Sequence, residues 1–292
     1  TVLPSLVTTS SYDSYGNALQ TATNTYDGYT KTTVNTYTND TTNWFLGRLS
    51  QSAVTSVTPT GTLTRTSAFT YNSTTGLLAS ETIEPAQAQM CQTTSYTYDG
   101  FGNKTGATTA NCAGATGTAV FATRTSTSST AATSTNPTAG QFITSSTNAK
   151  GHTEAKQYDA RFGGVTQLTG PNGLSTSWTY DVLGRPTKET RADGTQVKYQ
   201  YLYCTGNSAA TIVGSAACPT INGAVGAYVQ VAMPLASDGS TQNAAISKTY
   251  FDAQGRRIRV ETQGFDGSGA STAIYQDTQY NNLGQEIGRA HV

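Results

Sequence analysis

Alternation of large and small side chains in short segments is the clearest pattern in the sequence. In one segment Thr176, Trp178 and Tyr180 occupy every second position, and Tyr96 and Tyr98 show the same spacing earlier. Because successive residues of a β-strand point to opposite faces of the sheet, the residues of each set share one face. The pattern predicts many short strands, and the lack of runs of Ala, Leu, Glu and Lys argues against long helices.

A recurring turn motif follows many of these segments. An aromatic residue is followed by Asp or Asn, two or three variable residues and Gly, and often by Asn or Arg. Asp at the first position of a type I turn can accept a backbone N–H, and Gly can adopt the positive φ that closes a hairpin. The predicted structural turn residues are Tyr12, Asp13, Gly16, Tyr98, Asp99, Gly102, Tyr158, Asp159, Gly163, Tyr180, Asp181, Gly184, Arg185, Asp252, Gly255 and Arg256.

A second set of polar turns lies between these copies. Their glycines, Gly151, Gly173 and Gly194, recur at nearly constant intervals, as do the tyrosines of the same stretch. Each repeat therefore consists of two strands and two turns, and the predicted fold is an all-β array of repeated antiparallel hairpins. The stretches 106–140 and 206–239 depart from this spacing, and we interpret them as elaborated loops.

Composition restricts the partners of such an array. The chain has 292 residues, of which 12% are charged, and 17 Lys and Arg residues balance 17 Asp and Glu residues. A neutral chain offers no basic surface for nucleic acid or anionic membranes. No apolar run approaches the roughly 20 residues of a membrane-spanning helix. We therefore expect no nucleic-acid partner and no membrane segment.

The motif copies resemble the Y-D-x-x-G-R signature of the Rhs/YD-repeat family, and Tyr180 to Arg185 is the strictest copy. The copies extend from Tyr12 to Gly284, so the resemblance covers most of the chain. It includes Rhs proteins related to the shell components of Tc insecticidal toxin complexes. It implies a strip of hairpins, the YD repeats, that closes as a hollow β-shell, or cocoon, around a toxic C-terminal segment of the same polypeptide. The D-P-x-G core segment that would release this toxin is not in the sequence.

The function implied by the resemblance is structural: a wall segment of a cocoon that encapsulates and helps deliver a toxin encoded downstream. The implied partners are the remaining YD repeats, the enclosed toxin and a secretion or toxin-complex partner protein. The implied location is secreted or at the cell surface. The alternative is an extracellular YD-repeat module that binds carbohydrate or a cell surface.

An enzyme is the least favoured class. Turn formation accounts for the aspartates, His152 stands alone beside a turn, and the motifs of nucleophilic, phosphate-binding or zinc sites are missing. The segment 266–269 hints at a calcium loop but lacks the alternating ligands and the terminal Glu. We therefore expect no catalytic residue, cofactor or metal.

The four cysteines form two candidate disulfides. Cys91 and Cys112 lie symmetrically about the turn 99–102, where residues of the two strands face each other. Cys204 and Cys218 bracket a loop rich in Gly, Ala and Ser. Disulfides would indicate export, whereas four reduced cysteines are the alternative.

The ends of the chain differ from its middle. We interpret residues 1–286 as a YD-repeat shell segment that is truncated at both ends. Residues 287–292 break the repeat pattern and back-translate to a sequence that reads like a common sequencing adapter. We therefore interpret them as a non-native read-through tail, and a genuine short tail is the alternative.

Overall fold

A computed structural model describes residues 5–114, 120–134, 138–205, 215–218, 220–221, 223–264 and 273–291. Every regular element in these ranges is a β-strand, which confirms the predicted all-β fold. The chain divides into two compact units, Thr1–Thr153 and Glu154–Val292. None of the described elements is a helix long and apolar enough to cross a membrane.

The first unit is an antiparallel meander in which each strand pairs with the next. Its strands are β1 (Leu6–Tyr12), β2 (Ala18–Thr25), β3 (Thr30–Asp40), β4 (Phe45–Thr58), β5 (Gly61–Tyr71), β6 (Leu78–Ile83), β7 (Gln92–Tyr98), β8 (Lys104–Asn111), β9 (Arg124–Ser129) and β10 (Ser145–Thr147). The register pairs β1 to β10 consecutively. Successive turns therefore lie alternately at the two ends of the strands.

The second unit repeats this arrangement with one excursion. Its strands are β11 (Thr153–Tyr158), β12 (Val165–Thr169), β13 (Ser175–Tyr180), β14 (Pro186–Thr190), β15 (Gln196–Thr205), β16 (Ser215–Ala217), β17 (Thr220–Ile221), β18 (Ala224–Val225), β19 (Tyr228–Leu235), β20 (Ser247–Phe251), β21 (Arg257–Gln263), β22 (Ala273–Tyr280) and β23 (Glu286–His291). β15 pairs antiparallel with both β14 and β19 and parallel with the short β16. β17 and β18 form a separate hairpin.

A one-residue shift in register recurs at the aromatic position of the hairpin motifs, and the hairpin of β3 and β4 has a second irregularity between Thr38 and Asp40. Such a bulge bends the strand and re-aims a side chain. The affected residues are Tyr12, Tyr37, Tyr71, Tyr98, Tyr158, Tyr180, Phe251 and Tyr280.

The buried core is small, as expected for sheets that expose large areas. Ile258, Val229 and Tyr250 form a buried cluster in the second unit, against which Leu202 and Cys218 pack. Elsewhere, facing strands are joined through side-chain hydroxyl groups. Such pairs include Thr55 with Thr64, Thr94 with Thr109, and Thr179 with Thr187. Cross-strand hydroxyl pairs of this kind contribute to sheet stability, which gives the abundant Thr a structural role.

Candidate functional site

The best-formed chemical feature of the described chain is the row of YD turns, and the turn at Asp181 shows its geometry. The Asp181 Oδ1 atom accepts the backbone N–H groups of Leu183 and Arg185, each at 2.9 Å. Its Oδ2 atom accepts Nε of Arg185 at 2.7 Å. The N–H of Gly184, whose φ is 77°, donates to the Asp181 carbonyl at 3.1 Å. Both carboxylate oxygens are therefore engaged in holding the turn.

The other YD turns use the same chemistry. Asp13, Asp99 and Asp252 accept the equivalent backbone bonds, with Asn17, Asn103 and Arg256 as the side-chain donors. Asp159 opens a turn that is one residue longer, in which Gly163 N–H donates to the Asp159 carbonyl at 2.8 Å. The glycines Gly16, Gly102, Gly163, Gly184 and Gly255 all have positive φ. Asn or Arg follows Gly in the four equivalent turns because its side chain donates to the aspartate.

The hydrogen bonds keep these carboxylates ionised. Bonds from Thr130 and Asn103 lower the pKa of Asp99 to about 2. Burial raises the pKa of Asp181, but the bonds from Arg185 outweigh that effect and the pKa is lowered. A general acid must hold a proton near the working pH. The turn aspartates are therefore poorly suited to acid catalysis.

Tyrosine hydroxyl groups link five of the YD turns to the turn before them in the same unit. Tyr180 Oη donates to the carbonyl of Val165 at 2.6 Å, and Tyr98 Oη donates to that of Leu78 at 2.8 Å. The same bond joins Tyr37 to Ala18, Tyr71 to Leu49, and Tyr280 to Arg257. In each case the acceptor lies two positions after the glycine of the preceding YD turn. Burial raises the pKa of Tyr180, so this hydroxyl remains a protonated donor at neutral pH.

Close packing reinforces the link between turns. A Cβ atom added at Gly184 would lie 3.0 Å from Cγ of Phe162, which belongs to the preceding YD turn. Gly76 lies against the guanidinium group of Arg48 in the same way. Arg48 also lies over the ring of Tyr71, with its Cζ 5.3 Å from the centroid. At Gly76 and Gly184, glycine is therefore required both by its positive φ and by the side chain of the preceding turn, whereas at Gly16 and Gly255 only the positive φ requires it.

Sequence reasoning did not foresee the links between turns. The residue choice carried a signal, because the motif aromatic is Tyr in every copy except Phe251. Tyr12, which has no earlier YD turn beside it in the described chain, is 61% exposed.

The polar turns at the opposite strand ends share the backbone geometry of the YD turns. Gly173 has a φ of 76°, and its N–H donates to the Gly170 carbonyl at 2.9 Å.

Both cysteine pairs are joined in the structure. Cys91 and Cys112 follow directly from the register of β7 and β8, and their Cα atoms are 5.4 Å apart. The Cα atoms of Cys204 and Cys218 are 5.2 Å apart, and Cys218 packs on the buried cluster of the second unit. The redox state in solution stays a prediction.

The remaining sequence candidates are not brought together. His152 is exposed, and its Nδ1 lies 3.4 Å from the Asn148 amide at the turn before β11. Among the described residues there is no group of three His, Cys, Asp or Glu that could hold a metal ion. The segment 266–269 lies outside the described residues.

Within each unit, these features define an array of β-hairpin repeats in which successive YD turns are linked. A family model described as RHS Repeat matches residues 161–196, which include the Asp181 turn. Two crystal structures of TcdB2-TccC3 share the fold. The one without the hypervariable C-terminal region has a TM-score of 0.56 and 16% identity over 97% of this chain. The other has a TM-score of 0.53 and 14% identity over 94% of it.

The match and the fold together confirm the resemblance to the Rhs/YD-repeat family. The chain spans only 13% and 20% of the two solved chains. A comparison with curated protein sequences finds no significant match.

Proposed function

We propose that this chain is a wall segment of an Rhs-type β-cocoon that encloses a C-terminal toxin and helps to deliver it. The observation that carries the proposal is the set of YD turns within each unit, five of which are bonded to the preceding turn through a tyrosine hydroxyl. A thin wall has little core, so it needs such local links to hold neighbouring hairpins in register. The similarity to TcdB2-TccC3 supports a shell role.

The partners follow from this role. The remaining YD repeats would continue the sheet on both sides, and the toxin would occupy the enclosed space. A secretion or toxin-complex protein would dock on the assembled shell. The proposed location is extracellular, where the two disulfides would be stable.

The second candidate function is binding of carbohydrate or a cell surface. It is favoured by Tyr203, which is 70% exposed and pairs with Tyr228 on the neighbouring strand. The Tyr228 ring stacks on that of Phe251, with 4.7 Å between the ring centroids. Exposed aromatic rings can stack on the apolar faces of sugars. A glycan array probed with the chain and with a Tyr203→Ser variant tests this function, because only binding that the variant loses would support it.

Protease protection tests the shell directly. The polypeptide encoded by the complete gene is expressed, and the digestion rate of its C-terminal segment is compared with that of the same segment expressed alone. The proposal expects strong protection in the whole polypeptide, and loss of protection when the wall is opened by denaturant. Equal digestion rates, or a complete gene with no segment beyond the repeats, would rule out the cocoon.

A further inference from the structure

The segment between β15 and β19 departs from the hairpin pattern of the second unit. β16 and β19 both pair with the end of β15 near Tyr203, so these two strands flank it. β17 and β18 pair with each other outside the main sheet. We refer to the described residues of this segment, 215–218, 220–221 and 223–226, as the excursion. It ends at Ala227, whose N–H donates to the Phe251 carbonyl at 2.7 Å.

The excursion covers the most buried side chains of the described chain. Val229 and Ile258 are 1% and 0% exposed, and they form one cluster with Tyr250. Cys218 and Ala224 of the excursion pack against this cluster. Because apolar side chains gain stability in proportion to the area removed from water, the cluster depends on the excursion staying in place.

The Cys204–Cys218 disulfide holds the excursion against the cluster. Cys204 lies two residues after Leu202 on β15, so both side chains share one face, and Leu202 also packs on the cluster. The returning backbone lies directly on the disulfide. A Cβ atom added at Gly226 would be 3.0 Å from Cβ of Cys218 and 3.2 Å from Sγ of Cys204. The disulfide therefore fills the space between the excursion and the sheet.

The two disulfides of the chain differ in the backbone pairing beside them. Their sequence separations are 21 and 14 residues, so chain entropy gives them a similar worth. The strands next to Cys91–Cys112, β7 and β8, form seven residue pairs, whereas β16 gives the excursion three with β15. Breaking Cys91–Cys112 therefore leaves a registered hairpin, while breaking Cys204–Cys218 removes the main tie of the excursion.

The two disulfides also differ in their access to a reductant. Cys204 and Cys218 are both partly exposed, whereas Cys91 is 3% exposed. Attack on the partly exposed Cys112 would have to release Cys91 as a buried thiolate, which burial disfavours. Since exposed disulfides are the more easily reduced ones, a small thiol should reduce Cys204–Cys218 first.

We propose that the Cys204–Cys218 disulfide is a redox-sensitive switch, which a low-molecular-weight thiol such as glutathione opens so that the buried cluster of the second unit is uncovered. The thiolate of one glutathione attacks a sulfur of the disulfide, forms a mixed disulfide and releases the other cysteine as a thiolate. A second glutathione thiolate attacks the mixed disulfide and releases the remaining cysteine. Both cysteines take up protons, and the two glutathiones end as one oxidised disulfide.

The switch is a property of the second unit and does not require the proposed function. Cytosolic compartments keep thiols reduced, whereas extracellular disulfides persist. Transfer of the protein into a reducing compartment would therefore loosen the second unit and leave the β7–β8 hairpin intact.

A glutathione titration of the polypeptide encoded by the complete gene tests the switch. Alkylation and peptide mapping give the redox state of each cysteine pair, and hydrogen exchange gives the opening of each segment. Cys204–Cys218 should be half reduced at a glutathione concentration at least about tenfold lower than Cys91–Cys112. Its reduction should speed amide exchange in the excursion on the order of 100-fold, with no change in β7 and β8.

Paired variants separate the switch from a general loss of stability. Replacing Cys204 and Cys218 with Ala should reproduce the fast exchange without reductant, whereas replacing Cys91 and Cys112 with Ala should leave the excursion protected. If the first variant does not fold, the wild-type titration gives the same comparison. Reduction of both pairs at one glutathione concentration would overturn the proposal. So would unchanged exchange in the excursion after reduction, or free thiols at Cys204 and Cys218 in protein purified under oxidising conditions.

Discussion

Replacement of Gly184 by Ala separates the two reasons for glycine in a YD turn. Gly184 and Gly173 have φ of 77° and 76°, so Ala is strained to the same degree at both. That strain amounts to about 1–2 kcal/mol per residue. At Gly173 nothing lies within 4 Å of the added Cβ, whereas at Gly184 the atom lies 3.0 Å from Phe162 Cγ. Gly173→Ala is therefore a matched control.

The expected difference between the two variants follows from Phe162. Forcing a methyl group into a packed site costs about 1–3 kcal/mol. Phe162 is 38% exposed and can move, so the lower end applies, about 1 kcal/mol. The free energy of unfolding should then fall by about 1–2 kcal/mol in Gly173→Ala and by about 2–3 kcal/mol in Gly184→Ala.

Urea unfolding of the complete gene product, followed by circular dichroism, measures both losses. Phe162→Ala alone also removes the ring that lies 6.4 Å from the Tyr180 ring, so a double-mutant cycle is required. The cycle should return a coupling of about 1 kcal/mol between Gly184→Ala and Phe162→Ala. Equal destabilisation by the two glycine variants, or a coupling near zero, would refute the packing of successive turns.

Three further predictions concern the same turns. Tyr180→Phe should lower the free energy of unfolding by about 0.5–1.5 kcal/mol through loss of its hydroxyl bond, whereas Tyr12→Phe should have no measurable effect; equal losses in urea unfolding would contradict the role of the hydroxyl. Peptide mapping of the exported protein without reductant should recover Cys91 linked to Cys112. Reduction of this disulfide should lower the free energy of unfolding by about 3 kcal/mol. Two free thiols would contradict both the register of β7 and β8 and the export of the protein. The pKa of Asp99 is lowered in the folded protein, so its contribution is complete above pH about 4 and is lost as the pH falls towards 2. Asp99→Asn should abolish that part of the acid dependence in pH-dependent unfolding, and an unchanged acid transition would show that Asp99 contributes nothing.

The strands and turns could be predicted from the sequence because their signals are local. The alternation before Tyr180 and the spacing from Asp181 to Gly184 each involve a few consecutive residues. The bond from Tyr180 to Val165 could not be predicted, because it depends on the bulge that re-aims the tyrosine. The approach of Phe162 to Gly184 likewise depends on how adjacent hairpins stack, which turn chemistry alone does not determine.

The boundaries of the segment also stay predictions. β23 (Glu286–His291) pairs with β22 through backbone bonds. Because such bonds form with almost any side chains, this pairing does not test whether residues 287–292 are native. Resequencing of the gene tests the interpretation of residues 287–292 as a read-through tail. A genomic sequence that encodes these residues would contradict it.

Electron cryomicroscopy of the polypeptide encoded by the complete gene would show whether the YD repeats form a cocoon. We expect a closed, hollow particle with this chain in its wall and separate density for the C-terminal segment inside it. An open sheet, a solid particle, or a C-terminal segment located outside the wall would contradict it.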